Sequence, residues 1–284
     1  MSVCLAYDGS INGDWVARYA VRLAAGDAAR LLRVLHVETA SFGSAALAEK
    51  FDNIRLIASK AGVGVEVEIC PMHDGVVGGL VAHLGSDPEV VMVAGVRAQG
   101  GRRGFLSGTV SWQLLKDTNF DVIAFRVVQP GTLGVVRRLL MPIAGHEPGH
   151  RAAVTMLDLM AHDLDSLRLL HVVELPANKL RRLRAPEAAA LRHKAGAYLQ
   201  GMEEVLHADP VIGDVKLEAA VRVSDDWGRE TIIDAAQQDT DLICLEASRL
   251  SLERGFRYGD PFETLLRNAP CDVAIYRGGA QNGR

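Results

Sequence analysis

Short, near-continuous apolar runs alternate along this chain with longer stretches whose apolar residues recur every three or four positions. In the first half the short runs fall at 2–7, 31–37, 63–70, 89–94 and 121–127. Such runs, rich in Val, Ile and Leu, predict strands. Between them, 12–25, 43–61, 75–85 and 108–118 carry helical spacing. In "DWVARYAVRLAAG", Trp15, Val16, Tyr19, Ala20 and Leu23 repeat at that spacing, and Gly26 stands where a helix ends. The second half repeats the scheme, with strands expected near 138–143, 167–174, 213–223, 241–246 and 272–277. Runs such as "VVMVAG" and "DLICL" suit strands buried on both faces. Alternating strands and helices predict an α/β fold: two tandem, doubly wound, five-stranded parallel sheets with helices on both faces.

The halves also match in sequence. "LRVLHV" at 32–37 returns as "LRLLHV" at 167–172, and "LLKDTNFDVIAFR" at 114–126 as "LLRNAPCDVAIYR" at 265–277. The offset grows from 135 to 151, so the second copy carries an insertion, placed at 178–207. A unit this long is a duplicated domain and not a solenoid repeat. "VVQPGTLGVVRR", with its Pro and Gly, marks the linker, which gives domains at 1–128 and 137–284.

Composition narrows the classes. A length of 284 residues suffices for two cores, and a net charge of −4 gives no drive toward nucleic acid or anionic membranes. The start of the chain lacks the pattern of a signal peptide, and no run reaches the roughly 20 apolar residues of a membrane span, so the cytoplasm is expected. Cys4, Cys70, Cys244 and Cys271 lie in or beside strand-like runs without paired spacing, which reads as buried thiols.

The candidate chemistry sits in "GVRAQGGRRGFLSGTV", 95–110, with five glycines and three arginines after a strand. In doubly wound sheets ligands sit beyond the carboxyl ends of strands. A helix starting near Gly108 offers free N–H groups to an anion, Thr109 a hydroxyl, and Arg97, Arg102 and Arg103 counter-charge. The stretch is neither a Walker loop nor a strand-one dinucleotide fingerprint. A solvated loop without ligand is the plain alternative.

This stretch resembles the nucleotide loop of the universal stress protein family, whose ATP-binding members carry G-x2-G-x9-G-[ST]. Gly95, Ala98, Gly108 and Thr109 fall in that register, with alanine for the second glycine. "CLAYDGS" resembles the family's first strand and turn, with Asp8 at the aspartate that contacts the nucleotide. "LLRVLHV" resembles its second strand, with Val37 against the adenine. "FDVIAFR" resembles its last strand. The resemblance implies an adenine nucleotide alpha hydrolase-like fold and a stress-response regulator. It implies ATP or a related adenine nucleotide in the first half, with Mg²⁺ reachable from Asp8 through water. Family members pair through the last strand, so the two halves are expected to pair there within one chain, with an unidentified protein partner and a further homodimer left open. With no dedicated base in view for activating water, turnover is expected to be slow or absent.

The second half departs from the motif. Glu246 replaces the first glycine, Asp260 the hydroxyl residue, and Ala144 the aspartate. A carboxylate close to a phosphate costs on the order of 1–4 kcal/mol per charge pair, against about 8 kcal/mol for micromolar binding. An empty second site is expected, although Arg249, Arg254 and Arg257 offer neutralisation. Two other features compete. "GHEPGH", 145–150, resembles the H-x-G-H motif of nucleotidylyl transferases with one residue too many between His146 and His150; with His162 it also suggests a metal site. His36 and His171, equivalent by repeat, suggest a shared hydrogen-bonding role. "KLRRLRAPE", 179–187, reads as a solvated helix start, or as a surface for an acidic partner or RNA. The helix after it should turn Leu191, Tyr198, Met202 and Leu206 inward.

Overall fold

The ten apolar runs form ten strands in the computed structural model, which describes residues 1–38, 44–85, 87, 89–96, 109–143, 154–247 and 261–279. The first half holds β1 (Ser2–Ala6), β2 (Leu31–Val37), β3 (Gly64–Cys70), β4 (Val90–Gly95) and β5 (Asp121–Arg126). The second holds β6 (Arg138–Ile143), β7 (Ser166–Glu174), β8 (Lys216–Ser224), β9 (Leu242–Glu246) and β10 (Asp272–Arg277). The helices are α1 (Ile11–Gly26), α2 (Ser44–Lys60), α3 (Gly75–Leu84), α4 (Val110–Asp117), α5 (Val154–Met160), α6 (Ala177–Leu180), α7 (Ala185–His207), α8 (Trp227–Gln237) and α9 (Pro261–Asn268). Side-chain caps start three of them. Ser10 accepts from Gly13 N, Thr109 from Trp112 N and Asp226 from Arg229 N.

All ten strands make one sheet, in the order β3-β2-β1-β4-β5-β10-β9-β6-β7-β8. Every pairing is parallel except β5 with β10. Each half therefore reverses its strand order once, between β1 and β4 and between β6 and β9. At the antiparallel junction Ala124 faces Ile275, its own counterpart in the repeat. The two repeated units thus meet about a pseudo-twofold axis at that pair.

One core lies on each face, and each core is built by both halves. Val3 and Leu5 of β1, with Tyr7 just beyond it, join α1, α2, α5 and α7 on one face. Cys4 of the same strand joins α3, α4, α8 and α9 on the other. All four cysteines are buried and unbridged. Two expectations need correction. α7 buries Ala195, Leu199, Met202 and Leu206, whereas Leu191 and Tyr198 are only half-buried. Tyr198 still packs against the core, so Leu191 is the residue that departs, and Ala195 and Leu199 join the buried side. Residues 213–215, read as strand, belong to a turn in which Asp209 accepts from Val211 N and Gly213 N.

Paired aspartates clamp the junction. Asp272, fully buried, accepts from Val128 N at 2.5 Å, from Gln129 N at 2.7 Å and from the Tyr19 hydroxyl. Its counterpart Asp121 accepts from Gly279 N at 2.5 Å and from the Tyr276 hydroxyl at 2.9 Å. Each carboxylate holds the chain leaving the other half's last strand. α1 and α5 close the same contact from one face, where Arg22 pairs with Asp163.

Candidate functional site

A crevice of about 300 Å³ opens at the carboxyl ends of β1 and β4, where the first half reverses its strand order. That is the ligand position of doubly wound sheets. Its apolar end is lined by Val37 at the end of β2 and by Val76 and Leu80 of α3. Its polar end is lined by Asp8, Asn12, Gly95 and Ser111. The walls follow from local chemistry. Gly9, at φ +74°, turns the chain after β1. The Asp8 carboxylate then accepts from Ser10 N at 2.9 Å and Ser10 Oγ at 2.6 Å, and Ser10 in turn caps α1. Asp8 is thereby held at the rim, at once a turn former and a crevice residue.

Gly95 is closely approached by two side chains of α1, so a larger residue there would have to displace Asn12. A Cβ there would stand 2.6 Å from Asn12 Nδ2 and 3.3 Å from Val16 Cγ2. Thr109 caps α4: Oγ1 accepts from Trp112 N at 3.2 Å and lies 3.2 Å from Ser111 Oγ. It stands beside the crevice, and the lining residues of that helix start are Val110 and Ser111. The structure thus gathers Asp8, Val37 and Gly95 around one space, with Thr109 at its margin. Arg97, Ala98 and Gly108 lie outside the described residues, as does "GHEPGH".

Sequence reasoning missed Asn12 and Ser111 as wall residues. Asn12 lies in the first turn of the helix that follows Asp8, and Ser111 lies two residues past Thr109. Only their phase on α1 and α4 turns them inward, and no motif marks it. His36 forms the expected bond: Nδ1 lies 2.8 Å from Tyr7 O, and in the second half His171 Nδ1 lies 2.8 Å from Ile143 O. Behind the wall, the Tyr7 hydroxyl meets Asp14, whose other oxygen is 2.5 Å from Lys50 Nζ. Burial first, then Asp14, pushes the Tyr7 phenol far above its usual range, so Tyr7 stays neutral.

The second half builds the same frame and fills it differently. Gly95 pairs with Phe125, and Glu246 with Tyr276. The next N–H bonds back identically: Val96 N to Phe125 O and Ala247 N to Tyr276 O, both at 2.8 Å. Glu246 therefore occupies the place of Gly95. Burial pushes its carboxyl up to about 7. Ala144, Arg249, Arg254, Arg257 and Asp260 lie outside the described residues.

Fold and crevice together define a doubly wound α/β protein in two repeated units, with a ligand-sized space at the first reversal of strand order. The model of the universal stress protein family matches residues 136–277, and the chain belongs to that family. The match falls on the half whose loop departs more from the family motif. Solved structures extend the fold likeness across the chain. A universal stress protein from Archaeoglobus fulgidus has TM-score 0.60 at 16% identity, covering 98% of this chain and 97% of that one. A putative universal stress protein from Pseudomonas aeruginosa has TM-score 0.58 at 14% identity, covering 97% and 91%. The cytoplasmic domain of a prokaryotic cation chloride cotransporter has TM-score 0.60 at 12% identity, covering 100% and 97%. No curated protein sequence matches the chain. Among the described residues no helix is long and apolar enough to cross a membrane.

Proposed function

We propose that the chain binds ATP or a related adenine nucleotide, with or without Mg²⁺, in the first-half crevice. We propose further that it acts as a cytoplasmic stress-response regulator, with domains at 1–128 and 137–284. The observation that carries this reading is the crevice itself. It is apolar beside Val37 and Leu80, polar at Asp8, Asn12 and Ser111, and lined at Gly95 by a residue without a side chain, packed against Asn12. A flat base suits the first end. The start of α4, next to Gly108, suits an anion at the other. Asp8 is placed to meet the base or a hydrated Mg²⁺. In the second half Glu246 takes the register position of Gly95, and that half serves as scaffold or as the surface for a protein partner.

Mass spectrometry of small molecules released from fresh protein, followed by titration calorimetry with ATP and Mg²⁺, tests this. The wild type should bind, and Gly95→Val and Gly108→Val should each weaken binding by about 100-fold or more, near 3 kcal/mol. No heat at millimolar ATP would leave the crevice structural and the protein an interaction module. Nucleotidyl transfer lost in His146→Ala but kept in Gly108→Val would instead point to "GHEPGH".

A further inference from the structure

α7 has 23 residues and is about 35 Å long. Its buried residues begin only at Ala195. The preceding ten residues, α6 and the turn between the two helices carry a run of exposed cations: Lys179, Arg181, Arg182, Arg184, Arg192 and Lys194. None of them forms an ion pair among the described residues. The other end of the helix is acidic, with Glu203, Glu204 and Asp209, and Asp214 is exposed in the following turn. Surface helices commonly pair opposite charges three or four residues apart. Here Arg192 and Lys194 have only Ala, Gly, Leu and Tyr at those positions, and Glu204 has only Gln, Gly, His and Ala. Glu187 is the one acid at the basic end, where it caps the helix start by accepting from Arg184 N, so that end keeps a clear excess of positive charge and the other an excess of negative.

A helix that is positive at one end and negative at the other complements a reversed copy of itself. We propose that the outer face of α7 is a self-association surface, on which two copies of this chain pair their α7 helices antiparallel about a twofold axis. The twofold passes at the level of Ala197 and Gly201. That register sets Lys194 of each copy against Glu204 of the other, twice over. It sets the run 179–184 toward the Asp209–Asp214 end. Ala190, Ala197, Gly201 and Ala208 recur at intervals of seven, four and seven, so they lie along one line of the helix opposite its buried side. With no long side chain on that line, the backbones can approach. Exposed Val205 adds apolar area beside it. An isologous contact of this kind closes at two copies and leaves the crevice open. A single helix pair falls short of the roughly 1,600 Å² of a standard interface, so the dimer is weak and salt-sensitive.

Sedimentation velocity of the full chain at low and high salt tests the proposal, with circular dichroism confirming that each variant folds. The wild type should dimerise at about 50 mM salt and dissociate at about 0.5 M. Lys194→Glu and Glu204→Lys should each weaken the dimer about tenfold or more. The double exchange, K194E with E204K, should restore it, because the pair is re-formed with its signs reversed. A wild type that stays monomeric at every concentration overturns the proposal. So does a dimer indifferent to both single changes, or a double variant no tighter than the singles.

Discussion

At the scale of single residues the two halves differ most where they are aligned best. Glu246 sits in the backbone register of Gly95, and burial lifts its carboxyl to about 7, from an ordinary value near 4.5. A raised acid stabilises the fold below its unfolded pKa and loses that contribution as pH rises through its folded value. The window is therefore about 4.5 to 7. Glu246→Gln should be the more stable protein at about pH 8 by roughly 1–2 kcal/mol, discounted for partial exposure, and near equal at about pH 4.5. Urea titrations at both values measure it; an equal gap at both pH values contradicts the assignment. Asp8, Val37 and Gly95 were legible because each belongs to a motif tied to a strand end. Asn12 and Ser111 were not, since a helix turns any residue type inward at the right phase. Thr109 was read as a hydroxyl for the ligand; its oxygen also accepts from Trp112 N and so caps α4, a role the motif does not mark.

Elements were the most readable level, because strands buried on both faces leave little ambiguity in a hydropathy pattern. β2, β6 and β10 have the predicted bounds. α7 was read correctly as a helix but with its buried side only partly identified. Alanines fill so much of it that apolar spacing alone cannot choose a face, and Ala195 and Leu199 are buried although neither was named among the inward residues. Gly26 shows a second limit. It reads as a helix stop, yet it also lets α1 approach α5, since a Cβ there would stand 2.1 Å from Leu159 O. Gly26→Ala should cost about 1–3 kcal/mol by forcing the two helices apart. Gly131→Ala, with open space around its Cβ, should cost far less. Thermal unfolding of the two variants side by side decides the matter.

For the whole molecule the β5–β10 junction is the main fact. Expecting apolar last strands to pair was enough to anticipate it, but the aspartate clamp was invisible: Asp121 and Asp272 look like ordinary strand starters. Asp272→Ala should cost about 1–3 kcal/mol, because it strands the buried Tyr19 hydroxyl and removes the acceptor of two partly buried N–H groups. Asn in place of Asp272 should recover part of that loss. Equilibrium unfolding in urea reads both effects. The same junction bears on how the duplication has diverged. Each half covers a strand edge that its sibling would otherwise expose to every sticky chain nearby. A copy that shields its sibling stays useful whatever becomes of its own crevice, so drift is free to erase the motif around Glu246 while the strand from Asp272 to Arg277 is held in place.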